Sequence, residues 1–393
     1  MQILIPLLLF LSNLLNYVDR QLFSALFPII VPAFRLSDTL VGALGSSFTL
    51  TYLLAAPLAG YLSDRIHPRR VLATGILVFS SGMLICALAK SIAILFLGRA
   101  LTGIGEAALY VVGPQSIGTE RGVGKKLAVF LSAMPIGAAL GFVFATHATP
   151  VSFRSILILP VPPGFFLSLL LFFLVFPFPE KGLASLSPFH VISLFRNDKS
   201  FLSLITVEGT NLFVLGGMSV WISLFLTREK HMPMGAASSM TGLALVTGGL
   251  LGILLSGLLC DHVLSKGLNG VFWVLAGSQG LSLIGIAIVL AAVSRPAVFG
   301  GLFLASLGLF GTNVPVLVAL LKKSSSAMWG SVLGSVLFVS HLLGDLPSST
   351  LIGLAASHLG LTKALALLLP LPIVLGIGAV GAVLKRNLAG ETS

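Results

Sequence analysis

The sequence predicts an all-α membrane protein of twelve transmembrane helices arranged as two pseudo-symmetric six-helix bundles. Three observations carry this. Of the 393 residues, 56% are hydrophobic and only 9% are charged, against about one quarter charged in an ordinary soluble domain, so a water-facing surface cannot be built. Apolar runs of the roughly twenty residues that a helix needs to cross a bilayer recur between short polar breaks. The 43 glycines suit helices packed in lipid, where small residues let backbones approach.

In order, the predicted spans of the first half are Ile3 to Val31, Leu40 to Leu62, Val71 to Ala89, Ile92 to Ile117, Leu127 to Ala148 and Ile156 to Phe176. Those of the second half are Phe201 to Leu226, Ala236 to Leu259, Val271 to Val293, Val298 to Leu321, Met328 to Ala356 and Ala364 to Leu384. This gives an N-terminal bundle over 1–178, a linker over 179–199 and a C-terminal bundle over 200–393. Within the linker, Ser187 to Lys199 has the pattern of a short surface helix, with Ser187 as cap and Pro188 in its first turn. The chain runs from Met1 straight into apolar sequence without the positive leading region of a cleaved signal, so the first span is expected to be retained.

Positive residues near helix ends stay on the cytoplasmic side. One set of loops with the C-terminus carries fourteen Lys and Arg, the other set seven, and Arg20 and Arg99 fall inside spans. Both termini are therefore expected in the cytoplasm, as in a multi-pass protein of a bacterial inner (plasma) membrane.

The net charge of +11 does not point to nucleic acid, because the basic residues are scattered singly or in twos and threes with no basic domain. Cys86 and Cys260 lie in or at the end of apolar segments without metal-ligand or disulfide spacing. No nucleotide-binding loop, metal cluster or nucleophile constellation appears, so an enzyme is not expected and no cofactor or metal is called for.

Gly60 and Asp64 follow the second span, and Gly257 and Asp261 follow the eighth, each pair with the same spacing half a chain apart. Two such halves, with a substrate site near midplane between them, are the arrangement of one large transporter class.

The segment Gly60-Tyr-Leu-Ser-Asp64-Arg65-Ile-His67-Pro68-Arg69-Arg70 resembles the loop signature of the major facilitator superfamily, with His67-Pro68 where that family usually has one residue. Arg99-Ala-Leu-Thr-Gly103-Ile-Gly105-Glu106 resembles its fourth-helix signature, and Pro135-Ile-Gly137-Ala-Ala-Leu-Gly141 loosely resembles the pattern of its fifth. The spinster-like branch is matched more narrowly by Asn16-Tyr17-Val18-Asp19-Arg20, by Gly103-Ile-Gly105-Glu106-Ala107 and by His341-Leu-Leu-Gly344-Asp345-Leu-Pro347-Ser348; Glu208 is a departure. The resemblance implies the major facilitator fold and alternating-access transport of lysolipids, sphingolipid phosphates or related amphiphiles, often proton-coupled. The partners it implies are a small amphiphile, protons and membrane lipids, for a monomer. A drug or organic-ion exporter of the same superfamily, and a non-transporting lipid receptor or scramblase, stay open.

Asp19, Arg20, Arg99 and Glu106 are ionisable groups at membrane depth, each costing at least about 2.5 to 3.5 kcal/mol to place there, so they must face a bundle interior or a wet cavity. Arg99 and Glu106, two turns apart, share a face; Asp19 and Arg20 differ by about 100 degrees and cannot share one partner equally. This cluster is the expected site of proton coupling and substrate binding, against the alternative of a structural ion-pair cluster. Glu208 with Asn211, and His341 with Asp345 one turn apart, are the candidate polar groups of the C-terminal half, each equally readable as a structural contact. Gly60, Asp64, Arg65, Arg69 and Arg70 read either as solvated topology residues or, by the resemblance, as a cytoplasmic gate in which Asp64 meets the seam between halves.

Overall fold

The computed structural model describes residues 4–36, 38–117, 122–149, 151–173 and 198–390. Among these the secondary structure is helical. In chain order the α-helices are α1 (Leu4–Ala25), α2 (Phe27–Phe34), α3 (Asp38–Arg65), α4 (Pro68–Leu88), α5 (Ile92–Ile117), α6 (Val123–Thr146), α7 (Phe153–Ile158) and α8 (Val161–Phe173). They continue as α9 (Lys199–Arg228), α10 (Met234–Leu264), α11 (Asn269–Ala291), α12 (Arg295–Gly311), α13 (Asn313–Lys323), α14 (Trp329–Leu343), α15 (Asp345–Leu359), α16 (Leu361–Leu368) and α17 (Pro370–Gly390). The surface helix expected over Ser187 to Lys199 falls outside the described residues up to 197.

The number of helices exceeds twelve because five expected spans are interrupted. Proline lacks the N–H for the helical bond and clashes with the carbonyl four residues earlier. The breaks follow that rule: Leu26 precedes Pro28, Leu159 and Pro160 precede Pro162 and Pro163, Thr312 precedes Pro315, Gly344 precedes Pro347, and Leu369 precedes Pro370 and Pro372. Pro57, Pro114 and Pro135 instead sit within continuous helices. Ten helical stretches among the described residues are long and apolar enough to cross a membrane. The α1–α2 segment and α3, whose helices have 22, 8 and 28 residues, take the first two places in the expected order.

The chain forms two compact units: Met1–Gly118, Val129–Pro188 and Ser324–Phe338 make the first, and Thr119–Ala128, Phe189–Lys323 and Val339–Ser393 the second. Each has its own apolar core. Leu22, Phe23, Ile30, Met83 and Leu157 centre the first, and Phe225, Leu302, Leu309, Ile352 and Ile373 the second. The outer surface is also apolar, with Leu54, Leu58, Phe166, Phe173, Trp273 and Leu343 all largely exposed. Asn16, Asp19, Arg99, Glu106, Glu208, Asn211 and Gln279 lie inside. Buried polar groups beneath an apolar surface are the distribution that hydrocarbon solvent demands.

Glycine sets the closest helix contacts in both units. A methyl on Gly105 of α5 would lie 2.4 Å from the carbonyl oxygen of Gly75 on α4, and one on Gly98 2.8 Å from that of Gly82. On the corresponding pair of the second unit, a methyl on Gly285 of α11 would lie 2.7 Å from the carbonyl oxygen of Gly301 on α12.

Candidate functional site

In the first unit the structure brings α1 and α5 together through charge. Arg20 Nε donates to Glu106 Oε2 at 3.1 Å, and its Nη2 lies 3.0 Å from the same oxygen. The Asn16 amide, oriented so that its nitrogen meets the carboxylate, donates to Glu106 Oε2 at 2.6 Å. Asn16 lies one turn before Arg20, so both reach α5 from one face of α1. The Glu106 side chain is fully buried, while that of Arg20 is 27% exposed.

Asp19 and Arg99 are buried in the same cluster, but Asp19 Oδ1 and Arg99 Nε have no hydrogen-bond partner among the described residues. Aromatic rings surround the cations instead. The Arg99 guanidinium carbon lies 4.4 Å from the centroid of Phe48 and 4.5 Å from that of Phe23. That of Arg20 lies 4.8 Å from Phe48 and within 5.3 Å of Tyr17 and Tyr52. Each such contact is worth about 0.5 to 2 kcal/mol by burial, which offsets only part of the desolvation of a guanidinium. The two arginines share Phe48.

The candidate residues of the second unit form two groups. His341 Nδ1 and Asp345 Oδ1 lie 2.8 Å apart, across the break at Gly344 that separates α14 from α15. A methyl on Gly344 would meet the carbonyl of Gly209 at 2.6 Å, so α9 touches this break between Glu208 and Asn211. Both are buried; Asn211 Nδ2 donates to the carbonyl of Leu309 at 3.1 Å, while its Oδ1 finds no donor among the described residues. Sequence reasoning missed Gln279 on α11, fully buried, which donates to Thr312 Oγ1 at 3.2 Å and whose Oε1 likewise finds no donor among the described residues. A lone glutamine within an apolar run was the available signal. Phe48 and Tyr52, the rings beside the arginines, were missed because an aromatic residue in a membrane span carries no such signal.

The gate segment is divided by the structure. Asp64 Oδ1 accepts the N–H of Gly330 at 3.0 Å and Oδ2 that of Ser331 at 2.7 Å, with the Ser331 hydroxyl also donating. These are first-turn amides of α14, which have no partner within their own helix. A methyl on Gly60 would collide with the Gly330 carbonyl oxygen at 2.3 Å, so the glycine allows the approach and the aspartate caps the helix so reached. Arg65 and Arg70 are exposed, the former over the Tyr61 ring at 4.1 Å. His67 is the N-cap of α4, accepting from the Arg69 N–H with Pro68 in the first turn, which explains the His67-Pro68 departure.

The second unit repeats the device. Asp261 accepts the N–H of Gly124 at 2.8 Å and of Lys125 at 3.0 Å, the second and third residues of α6, and a methyl on Gly257 would meet Ala128 Cβ at 2.5 Å and the Gly124 carbonyl oxygen at 2.7 Å. Two carboxylates half a chain apart thus cap equivalent helix positions, each beside a glycine.

Comparison with known proteins agrees with this architecture. The sequence model of the Major Facilitator Superfamily matches residues 9–346. The chain belongs to the major facilitator superfamily. Among its relatives in that superfamily is the sphingosine-1-phosphate transporter SPNS2 of Danio rerio, 26% identical over 380 residues, 88% of this chain and 75% of the relative. Protein spinster homolog 1 of Xenopus laevis is 25% identical over 91% of this chain and 73% of its own. Among solved structures, a bacterial homologue of the human lysosomal transporter spinster superposes with a TM-score of 0.64 at 17% identity, covering 97% of this chain and 95% of its own. The human organic anion transporter MFSD10 superposes with a TM-score of 0.79 at 16% identity, covering 96% and 98%. This chain is therefore a multi-pass membrane protein with the major facilitator fold and spinster-type relatives.

Proposed function

We propose that this chain is a secondary transporter that moves an anionic amphiphile by alternating access, coupled to protons through Asp19 and Glu106. The observation that carries this reading is the division of the buried charges: Glu106 is held by Arg20, whereas Asp19 and Arg99 lie in the same cluster with no salt bridge among the described residues. Intramembrane charge of this kind marks ion and substrate pathways. A carboxylate in an apolar interior favours its neutral form unless a cation faces it. A movement that takes the arginine away from a carboxylate therefore favours its taking up a proton, the return of the arginine favours its release, and an anionic head group competes for the same arginine. The half-buried Tyr17 ring beside Arg20 offers an apolar chain a surface next to that charge. The sphingosine-1-phosphate transporter among the relatives supports an amphiphile over a sugar or a free ion.

The test is uptake of a sphingoid phosphate into proteoliposomes under an imposed pH gradient. Saturable, gradient-driven flux is expected from the wild type, and Glu106→Gln and Asp19→Asn, which remove the titrating groups with little change of shape, abolish the gradient dependence while binding persists. Gradient dependence that survives in both variants makes the cluster structural. Flux that does not saturate points to a scramblase, and binding without flux to a receptor.

A further inference from the structure

The second unit carries a cavity of about 810 Å³ whose lining includes none of the candidate site residues described above. Its walls are α10 and α11 and its floor is α12. Glycine explains how walls and floor meet: a methyl on Gly252 of α10 would lie 2.1 Å from the Leu307 carbonyl oxygen, and one on Gly308 of α12 2.3 Å from that of Ser278 on α11. The lining runs from Gly252 to Val263 along α10 and from Gly270 to Leu281 along α11, about 16 Å at 1.5 Å per residue. That is about the depth of one leaflet of a hydrocarbon core some 30 Å thick. The lining is apolar apart from the buried Ser256 and Ser278, and at one end the α10–α11 turn places Lys266, its single charged group. Exposed Trp273 stands one turn inside that end, at the depth where tryptophan anchors at a membrane interface.

We infer that this groove binds a membrane phospholipid with an anionic head group, its acyl chain along α10 and α11 and its phosphate at Lys266. Charge complementarity selects that occupant. Lys266 is exposed and forms no ion pair among the described residues. The carboxylate nearest to it in sequence, Asp261, is committed to the amides of Gly124 and Lys125. Asn387 donates to Asn269 at 2.6 Å, which brings Lys385 to the same end of the unit, where Arg386 pairs with Asp198 at 3.6 Å. An apolar peptide segment or a second copy of the chain would have no use for a cation at one end of a leaflet-long groove. The positive-inside bias assigns that end to the cytoplasmic leaflet, where anionic lipids attract basic residues. The inference stands independently of the transport reading, since it uses none of the same residues.

Gly277 supplies a clean test, because it lines the groove and a methyl there would meet nothing within 4 Å. Gly280 is equally open but outside the lining. The purified full chain is titrated with dioleoylphosphatidylglycerol and with dioleoylphosphatidylcholine, reading bound lipid by native mass spectrometry and apparent melting temperature. The wild type should prefer the anionic lipid, and Lys266→Gln should weaken it by about fivefold while leaving phosphatidylcholine unchanged. Gly277→Leu should displace both lipids, and Gly280→Leu should behave as wild type. A wild type without preference, a Lys266→Gln variant that keeps it, or groove filling at Gly277 without loss of bound lipid overturns the proposal. So does binding of single-chain lysolipid that phosphatidylglycerol cannot displace. Should Gly277→Leu not fold, the Lys266→Gln titration decides alone.

Discussion

Replacing Asp64 by asparagine tests whether the carboxylate holds the start of α14. The wild-type side chain accepts two backbone N–H groups and one hydroxyl. Hydrogen bonds to a charged group are worth about 1.5 to 3 kcal/mol each, and a negative charge at a helix N-terminus adds about 0.3 to 1 kcal/mol. Asparagine keeps one acceptor, at about 0.5 to 1.5 kcal/mol for a neutral bond, and turns an NH₂ towards an amide that also donates. Asp64 is half-exposed, so solvent repays part of the loss, leaving about 2 to 3 kcal/mol, or about a 30- to 150-fold increase in local opening. Hydrogen exchange read by mass spectrometry over 324–338 measures this directly. Exchange of the Gly330 and Ser331 amides should accelerate by that factor in Asp64→Asn, while Gly124 and Lys125 are unchanged. Asp261→Asn should produce the converse. Unaltered exchange at 330–331 in Asp64→Asn would refute the capping argument.

Two further expectations concern stability. Asp198 caps α9 by accepting the Ser200 N–H at 2.8 Å and pairs with Lys323 Nζ at 3.1 Å; burial pushes its pKa up, but these partners outweigh it and hold the carboxyl below its ordinary value. Its contribution is therefore complete above the unfolded-state value and is lost as pH falls through the folded-state one. The melting-temperature gap between wild type and Asp198→Asn should hold steady above about pH 5 and close below about pH 4, and a gap that persists at the acid end contradicts the pairing. Gly105→Ala places a methyl 2.4 Å from both the Gly75 carbonyl oxygen and the Phe79 nitrogen, overpacking that should cost about 1 to 3 kcal/mol. Gly280→Ala, with open space around it, should leave thermal unfolding unchanged, and equal melting of the two variants would rule out close α4–α5 packing as the reason for Gly105.

Much of the fold was legible because hydrophobic length and helix count are local properties. Whether a helix stays continuous was not. Pro315 and Pro347 end helices at Thr312 and Gly344, whereas Pro57, Pro114 and Pro135 are absorbed within α3, α5 and α6. Each proline loses the same bond, and the surrounding packing decides between a bend and a break. The charged cluster shows a similar division. The 100 degree separation of Asp19 and Arg20 gives the expectation that one partner cannot serve both equally, while the choice of Arg20 for Glu106 depends on the register of α1 against α5. No spacing within either helix encodes that register.

The gate segment shows how two ambiguous signals become one argument. Taken alone, Asp64 reads equally well as a solvated residue at a membrane boundary, beside the exposed Arg65 and Arg70. Gly60 and Asp64 are four residues apart and therefore share one face of α3. On that face the glycine removes the side chain that would hold another backbone away, and the aspartate supplies the acceptors that the approaching N-terminus lacks. Either residue without the other is useless for the purpose: an aspartate behind a bulky neighbour cannot reach amides 266 residues away in sequence, and a glycine without it brings orphan N–H groups together with nothing to receive them. The recurrence of the same pair at Gly257 and Asp261, capping the same second and third positions of α6, is what a duplicated device requires. Its partners, Gly330 and Gly124, carry no signal in the sequence, because a helix start offers its amides whatever its side chains are.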